Sequence, residues 1–337
     1  MRAIAYKTPQ AITADAALVD IEVPTPEPTG RDLLVEIKAV SVNPVDTKLR
    51  RHVAPADGEW RVLGFDAAGI VKAAGPDVTL FKPGDAVFYA GAIDRPGTNS
   101  QFHLVDERIV GRKPTSLDFA AAAALPLTAI TAWEMLFDRL KVRDSVPGAA
   151  NAILIIGGAG GVGSIAVQLA RSLTDLIVIA TASRPETAEW VKSLGAHHVV
   201  DHSKPLAAEV SALGLGAPAF VFSTTNTDDH LGAIVEAIAP QGRFGLIDDP
   251  KAMDVMPFKR KAVSTHWELM FTRSLFQTPD MIEQHNLLNA VSRLVDDGKI
   301  RTTLAETVGT INAANLRKAH EMVESGRTRG KLVLEGF

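Results

Sequence analysis

Hydrophobic and polar positions follow two different patterns on either side of Leu125. Before Leu125, short apolar runs typical of strands are separated by turns that are rich in glycine and proline. The apolar runs are 33–40, 69–73, 86–89 and 101–105, and the turns lie at 24–30, 75–76, 82–85 and 95–97. Short strands at this spacing indicate a β-rich barrel or sandwich.

After Leu125, continuous apolar runs alternate with helical patterns. We predict strands at 152–156, 176–180, 198–200, 219–222 and 242–247, and helices at 164–171, 185–194, 206–213 and 229–239. Strands without alternation are buried on both faces, and helical crossovers between them require a parallel sheet. The pattern therefore predicts an α/β fold with a doubly wound parallel sheet, a Rossmann domain. A further helix at 316–324 and strand at 331–334 are not placed by the pattern.

The amino-acid composition limits which ligands and partners we expect for this chain. The chain has 337 residues, which suggests about two domains, and a net charge of −4, which gives no reason to expect binding to nucleic acid. It contains no cysteine, so disulfides, thiolate nucleophiles and sulfur ligands for zinc are excluded. The start lacks the features of a signal peptide, and Pro126 interrupts the most apolar stretch, 119–133. We expect a cytoplasmic protein that does not span a membrane.

A glycine-rich segment follows the first strand of the predicted parallel sheet. Its sequence fits G-x-G-x-x-G and opens a helix, which is the context that dinucleotide binding demands. By spacing, Gly158 permits the tight turn, Gly160 admits the pyrophosphate, and Gly163 lets the helix pack closely on the strand. The cofactor-binding residues predicted here are Gly158, Gly160, Gly161, Val162 and Gly163. The helix N-terminus supplies N–H donors and a partial positive charge.

The end of the second strand bears on the choice of cofactor. NAD sites usually place Asp or Glu there to bind the ribose 2′-hydroxyl, whereas this strand is followed by Ser183 and Arg184. Arg offers charged donors that suit a 2′-phosphate, so we expect NADPH. The alternative is that Ser183 caps the next helix and Arg184 is solvated.

Several motifs resemble those of the medium-chain dehydrogenase/reductase superfamily. They are Asn43-Pro-Val-Asp-Thr-Lys, Gly64-Phe-Asp-Ala-Ala-Gly-Ile-Val, Lys82-Pro-Gly-Asp-Ala-Val, Ala123-Ala-Leu-Pro-Leu-Thr-Ala, the glycine segment and Gly330-Lys-Leu-Val-Leu. The resemblance implies a GroES-like domain from residues 1–125, completed by 301–337, and a Rossmann NADPH-binding domain from 126–300. It also implies an active site in the cleft between the two and a homodimer.

The zinc enzymes of this superfamily bind the metal through Cys, His and Cys. By resemblance, these positions are occupied here by Asn43, by Phe65 and by a residue within 125–127. None of these is a strong zinc ligand. We therefore expect no metal.

Without zinc, the chain resembles most closely the quinone oxidoreductase, or zeta-crystallin, branch. Many of those enzymes have Tyr where this chain has Lys48, so a tyrosine-dependent role cannot be carried over. Asn43 and Lys48 are candidate hydrogen-bond donors to the developing anion of the acceptor. Asp46 could orient either of them or cap a helix. For Asn43 and Lys48, a turn-forming and a solvated role respectively remain open.

The resemblance suggests further contacts. Thr128 is expected at the nicotinamide. Ser223 and Thr224, which follow a strand, are expected at the ribose or nicotinamide, although Ser/Thr runs are also ordinary in loops. Arg329 and Lys331 in the tail are expected at the cofactor phosphates, and a solvated role for both remains open. Phe65, His266, Trp267 and Phe271 are candidates for shaping the substrate pocket, although an aromatic cluster is more often part of the core.

The function predicted from the sequence is a metal-independent, NADPH-dependent oxidoreductase that transfers hydride to a quinone or an α,β-unsaturated carbonyl. Two alternatives remain open. One is an alcohol or aldehyde dehydrogenase that works by another route, and the other is a non-catalytic NADPH-binding sensor.

Overall fold

The computed structural model describes all residues, 1–337, as two units. One unit combines Met1–Ile130 with Phe271–Phe337, and the other is Thr131–Met270. The tail segment of the first unit thus begins earlier than the residue 301 expected from the sequence. Residues 271–300 join that unit because their main helix, Glu283–Asp296, packs against the strand Val110–Arg112.

Sixteen strands form three sheets. They are β1 (Arg2–Tyr6), β2 (Val19–Glu22), β3 (Asp32–Val42), β4 (Arg61–Val62), β5 (Asp66–Ala74), β6 (Ala86–Ala90), β7 (Phe102–Asp106), β8 (Val110–Arg112), β9 (Ala150–Ile156), β10 (Ile177–Thr181), β11 (His198–Val200), β12 (Pro218–Ser223), β13 (Arg243–Leu246), β14 (Ser264–Trp267), β15 (Leu304–Gly309) and β16 (Lys331–Glu335).

Ten α-helices connect the strands. They are α1 (Pro44–His52), α2 (Phe119–Ala123), α3 (Pro126–Trp133), α4 (Gly161–Leu173), α5 (Pro185–Ser193), α6 (Leu206–Ser211), α7 (Thr227–Ala237), α8 (Thr272–Leu275), α9 (Glu283–Asp296) and α10 (Ala313–Glu324). A π-helical segment, Glu134–Arg139, continues α3.

The first unit is the β-rich, GroES-like part. Its main sheet has the order β15-β16-β3-β5-β6-β8, with β7 also paired to β3. The long strand β3 pairs along one edge with β5 and along the other with β7 and then β16. Strands from both ends of the chain therefore flank β3.

The second unit contains a six-stranded sheet in which every pair of neighbours is parallel. The order β11-β10-β9-β12-β13-β14 places β9, the first strand of this unit, in the centre. Strands β10 and β11 follow on one side of β9 and β12 to β14 on the other, as in dinucleotide-binding domains. Residues 152–156 of β9 and all of β12 are buried, as expected for continuous apolar runs in a parallel sheet. The predicted α/β class, a Rossmann sheet with a GroES-like β-rich part, is confirmed.

The stretch Phe119–Arg139 is long and apolar enough to cross a membrane by composition, but 83% of its most apolar window is buried in the protein. Ala124 and Leu125 separate α2 from α3, and Pro126 begins α3, where its missing N–H is not needed.

Candidate functional site: a glycine loop and a buried polar network

The glycine loop lies between β9, the central strand of the parallel sheet, and α4. Gly157 has φ +77°, and a Cβ there would lie 2.4 Å from Thr224 Oγ1, so only glycine is tolerated. The tight turn therefore depends on Gly157. The spacing had predicted Gly158 for this role. A Cβ on Gly158 would instead lie 2.9 Å from Ala180 Cβ on β10.

The remaining glycines determine how closely α4 packs on the loop and where a ligand has room. A Cβ on Gly163 would lie 2.2 Å from the carbonyl oxygen of Gly157, which explains why the helix can pack so closely on the loop. At Gly160, the nearest atom to a Cβ is 3.4 Å away, so this side of the loop is open. Gly160 is also the N-cap of α4 and provides no side-chain cap, which leaves the first-turn N–H groups of Gly161 and Val162 for a ligand. These residues fit a pyrophosphate.

Thr181, the last residue of β10, connects the loop to a histidine. Its hydroxyl accepts a hydrogen bond from the N–H of Gly157 at 3.0 Å and lies 3.0 Å from His202 Nδ1. The hydroxyl therefore links the loop to the imidazole, and the tautomer of His202 decides which of the two donates. Neither residue was predicted from the sequence, although a hydroxyl at the end of the second strand is a signal that could have indicated them.

Ser183 and Arg184 follow β10, as predicted. Ser183 is exposed, and Arg184 is the N-cap of α5. The guanidinium Nε of Arg184 lies 3.3 Å from Glu186 Oε1, with 41% and 54% of the two side chains exposed. An ion pair this exposed contributes little, so a phosphate can compete for the guanidinium.

Ser223 and Thr224 lie at the carboxyl end of β12, but their hydroxyls are engaged within the protein. Ser223 is fully buried, and its Oγ lies 2.8 Å from Thr227 Oγ1, which in turn contacts Asp248. Thr224 donates to the carbonyl oxygen of Ile156 at 2.8 Å. The hydroxyl of Ser223 is therefore used inside the protein, at the edge of the sheet. The structure does not support its predicted contact with the ribose.

A buried polar network lies in the first unit, centred on Asp66. Asp66 Oδ2 accepts a hydrogen bond from Asn43 Nδ2 at 2.8 Å and lies 3.1 Å from Lys331 Nζ. Its other oxygen, Oδ1, accepts from the N–H of Leu127 at 2.7 Å, in the first turn of α3. One carboxylate thus joins α1, β16 and the helix that carries Thr128. Asp66 was not predicted as a site residue, although it lies in the Gly64-Phe-Asp motif.

The side chain of Asn43 is hydrogen-bonded within this network. Its Oδ1 accepts from Lys331 Nζ at 2.5 Å, and its Nδ2 donates to Asp66 and, at 3.4 Å, to the carbonyl oxygen of Ser41. Asn43 is only 1% exposed. Both amide hydrogens thus have partners within the protein, and the predicted role of Asn43 as a hydrogen-bond donor to the acceptor stays a prediction.

Lys331 also differs from its prediction. It is 3% exposed, and its ammonium donates to Val42 O at 2.9 Å as well as to Asn43 and Asp66. Three acceptors saturate the ammonium, so it does not extend to cofactor phosphates. Arg329, two residues earlier, is exposed, and its phosphate contact remains a prediction.

Asp46 and Lys48 lie on α1 in different environments. Asp46 is 1% exposed and accepts hydrogen bonds from the backbone N–H groups of Asn43 and Gly64 at 2.8 and 3.0 Å. Burial raises the pKa of Asp46 to about 7, although these hydrogen bonds and Lys331 oppose the shift. Lys48 is exposed on the helix surface. Asp46 therefore orients Asn43 and caps α1.

Thr128 is 2% exposed in the first turn of α3, and its hydroxyl donates to Leu125 O at 3.0 Å. Its contact with the nicotinamide remains a prediction.

The candidate pocket residues separate into two pairs. In the first unit, Phe65 and Phe271 are each 2% exposed, and their ring centroids are 4.9 Å apart. In the second unit, His266 and Trp267 lie on β14, where His266 is half-buried and Trp267 is 55% exposed. Phe65 and Phe271 form core contacts with each other, and the pocket role of all four residues stays a prediction.

The side chains do not fit a zinc site. Asn43 and Phe65, at two of the ligand positions of zinc alcohol dehydrogenases, are engaged as described above. No group of three or more His, Cys, Asp or Glu residues lies close enough together to hold a metal ion. Zinc in proteins takes three or four such ligands, so no step of the chemistry is assigned to it.

Comparisons with known proteins agree with this fold. A family model described as zinc-binding dehydrogenase matches residues 194–334, and one described as alcohol dehydrogenase GroES-like domain matches residues 29–115. A zinc-type alcohol dehydrogenase-like protein of Staphylococcus aureus is 39% identical over 337 residues, covering 99% of both chains.

Solved structures agree as well. A protein from Rhizobium etli, presented as a candidate zinc-dependent alcohol dehydrogenase, is 72% identical with a TM-score of 0.98, over 100% of this chain and 98% of the other. The quinone oxidoreductase from Coxiella burnetii is 26% identical with a TM-score of 0.81, over 100% and 99%. The chain therefore belongs to the medium-chain dehydrogenase/reductase superfamily of oxidoreductases, among the zinc-type alcohol dehydrogenase-like proteins.

Proposed function

We propose that this protein is a metal-independent, NADPH-dependent reductase of quinones or α,β-unsaturated carbonyls. The observation that carries the proposal is the loop from Gly157 to Gly163, which is closed by backbone contacts at Gly163 and open at Gly160. Such a loop, at the central strand of a parallel sheet and opening a helix, is built to hold a pyrophosphate.

The preference for NADPH rests on the end of β10. Residues 182–184 are Ala, Ser and Arg, so no acid is available there for a ribose 2′-hydroxyl. Arg184 supplies a guanidinium beside an exposed serine, and its pairing with Glu186 is weak enough for a 2′-phosphate to displace.

The class of acceptor is inferred from the groups that each reaction requires. Oxidation of an alcohol requires a Lewis acid or a strong base to form the alkoxide, and the residues of this chain do not form a zinc site. Reduction of a quinone or an enone requires only an oriented hydride and stabilisation of the anion that forms. The likeness to a quinone oxidoreductase supports this class of acceptor.

The chain's own residues bind the cofactor and position the groups around it. The first turn of α4 holds the pyrophosphate, and Arg184 holds the 2′-phosphate. The buried carboxylate of Asp66 fixes the start of α3, and with it Thr128, relative to β16. Bound NADPH would supply the hydride. Lys48, an exposed ammonium on α1, remains our candidate donor to the anionic product.

A panel of acceptors tests the proposal. NADPH and NADH oxidation would be measured with ortho-quinones, short enones and simple aldehydes, with and without a chelator. We expect turnover of quinones or enones with NADPH that the chelator does not change. Turnover of aldehydes alone, or loss of activity with chelator, would contradict it. Tight NADPH binding with no turnover of any acceptor would indicate a sensor.

We also propose a homodimer. Strand β14 is an edge strand of the parallel sheet, and Trp267 and Leu269 at its end are 55% and 51% exposed. An open edge with large apolar side chains favours pairing with another chain. Light scattering should give twice the monomer mass, and Trp267→Arg should shift the protein towards monomer.

A further inference from the structure

The first unit contains a cavity that none of the residues assigned above to the cofactor or the acceptor lines. Its volume is about 510 Å³, within the range of about 300–1,000 Å³ that is usual for small-molecule sites. Strands β4 and β7 contribute to its wall, together with the segments 23–26, 55–60 and 94–97. All of these belong to the GroES-like part, so the cavity is a feature of that part alone.

Strand β7 presents two large apolar side chains to this cavity. Side chains alternate between the two faces of a strand, and on β7 His103 and Val105 are buried whereas Phe102 and Leu104 are half-buried. Phe102 and Leu104 therefore share one face, and both line the cavity. The outward face of an antiparallel strand usually carries polar side chains. An apolar outward face beside a cavity is typical of a wall that a ligand covers.

Trp60, directly before β4, adds an aromatic wall. It lines the cavity with 43% of its surface exposed, and Lys7 Nζ lies 4.6 Å from the centroid of its ring. Four prolines lie in the same wall: Pro24, Pro26, Pro55 and Pro96. Proline side chains lose almost no conformational entropy when they are covered. A planar apolar group can therefore pack against these rings at low entropic cost.

One guanidinium in the wall has no carboxylate partner. Arg61 on β4 is half-buried, and its one hydrogen bond runs from Nη2 to the carbonyl oxygen of Ile93 at 3.3 Å. The remaining N–H donors of the guanidinium have no partner within the protein. Arginine binds carboxylates through two parallel hydrogen bonds, so Arg61 offers a place for the carboxylate of a ligand.

Two further basic residues in the wall are not available to an anion. Arg95 donates from both terminal nitrogens to the two carboxylate oxygens of Asp32, at 2.8 and 2.9 Å, so its charge is already balanced. His103 is buried, and burial lowers its pKa to about 4, so it is neutral near pH 7. Arg61 is therefore the basic group of the wall that can pair with a ligand.

Two acidic residues, Glu59 and Asp94, also line the cavity. Both are exposed, whereas Arg61 is half-buried, so solvent and salt screen the two carboxylates more strongly than the guanidinium. Neither forms an ion pair with Arg61. The anionic group of a ligand therefore belongs at Arg61, away from the exposed acids.

We propose that this cavity binds a small aromatic carboxylate. Its carboxylate pairs with Arg61, and its ring packs against Trp60 and the outward face of β7. Most of the wall is apolar, so a polyanion such as a nucleotide would lack the donors that its phosphates need. The proposal concerns the first unit and does not depend on the reductase activity proposed above.

Calorimetric titration of the full chain with 4-tert-butylbenzoate tests the proposal. We expect a Kd of roughly 100 µM or tighter. The neutral 4-tert-butylbenzamide should bind at least about tenfold more weakly, because it lacks the charge that pairs with the guanidinium. Absence of binding, equal affinity for the acid and the amide, or tighter binding of 4-tert-butylbenzylammonium would overturn the proposal.

A pair of variants assigns the charge to its partner. Arg61→Gln should bind the acid at least about tenfold more weakly and the amide with nearly unchanged affinity. Arg260→Gln removes an exposed arginine of the second unit that does not line the cavity, and it should bind the acid as wild type does. Wild-type affinity for the acid in Arg61→Gln would overturn the proposal.

Photo-crosslinking of wild-type protein locates the ligand even if Arg61→Gln does not fold. The protein would be irradiated with 4-benzoylbenzoate, itself an aromatic carboxylate, and the labelled peptides identified by mass spectrometry. Labelling within 55–62 or 94–104 that excess 4-tert-butylbenzoate suppresses supports the proposal. Labelling only elsewhere, or labelling that the excess does not suppress, overturns it.

Discussion

Asp66 and Lys331 form an ion pair of 3.1 Å, with 0% and 3% of their side chains exposed, although they come from opposite ends of the chain. The pairing register of β3 explains how they meet. On one edge of β3, Asp66 is opposite Ser41, and on the other edge Leu332 is opposite Val42. Asn43, which follows β3, bonds to both side chains.

The first prediction concerns this pair. Asp66→Asn should lower the free energy of unfolding by about 3–5 kcal/mol, because it leaves the ammonium of Lys331 buried without its carboxylate. Urea unfolding measures the change. Asp297→Asn removes the partner of Lys299 from a pair in which both side chains are more than half exposed, and should cost less than about 1 kcal/mol. Equal effects would show that burial does not matter here.

The second prediction concerns the closed side of the glycine loop. Gly163→Ala should both destabilise the second unit and abolish NADPH binding, because the added Cβ would lie 2.2 Å from Gly157 O. Calorimetric titration and thermal unfolding measure the two effects. Gly232→Ala in α7 is the control, since a Cβ there meets nothing within 4 Å, and it should stabilise the helix by up to about 1 kcal/mol. A Gly163→Ala protein that binds NADPH as wild type would exclude the proposed geometry.

The third prediction separates binding from folding at the open side of the same loop. Gly160→Ala should unfold at the wild-type temperature, because the nearest atom to its Cβ is 3.4 Å away. NADPH should nevertheless bind at least about tenfold more weakly, since the methyl group occupies the space of the pyrophosphate. Unchanged affinity in a titration would place the pyrophosphate elsewhere.

The fourth prediction concerns cofactor choice. Arg184→Ala should raise the KM for NADPH by about tenfold or more and leave the KM for NADH nearly unchanged, because only NADPH carries a 2′-phosphate. Steady-state kinetics with both cofactors measures this. Lys192→Ala, an exposed cation on the same helix, controls for general loss of charge. Equal changes for both cofactors would refute the phosphate contact.

The fifth prediction concerns acid stability. His103 is buried between Tyr89, 3.0 Å from its Nδ1, and Pro96 O, 2.9 Å from its Nε2, and burial lowers its pKa to about 4. Because its ordinary pKa is 6.5, the unfolded state takes up the proton first, and stability falls as the pH decreases from about 6.5 to about 4. His103→Gln should flatten this part of the stability profile, measured by urea unfolding at several pH values. An unchanged slope would show that His103 does not contribute.

Much of the second unit was predictable because its signals are local. The apolar run before the glycines and the glycine spacing lie within a few residues, and the strand predicted at 198–200 between two helices coincides with β11, His198–Val200. The edge strand β14 was not predicted, since its residues, Ser-Thr-His-Trp, carry no continuous apolar run. Helix α9 was also missed, and with it the assignment of residues 271–300 to the first unit.

The candidate site was less predictable. The motif residues Asn43 and Lys331 were identified, but their side chains proved to be partners of each other and of Asp66. No local pattern shows that two motifs almost the whole chain apart will flank one strand. The same holds for Thr181, whose hydroxyl contacts residues before and after it in the chain, Gly157 and His202.

The sequence by itself determined the α/β class, the position of the dinucleotide loop and the lack of cysteine ligands, because each depends on residue type and spacing over short distances. Only the tertiary structure decided which polar groups are already satisfied. Whether Asn43 and Lys331 are available to a ligand depends on burial and on strand register across β3, which no local pattern records.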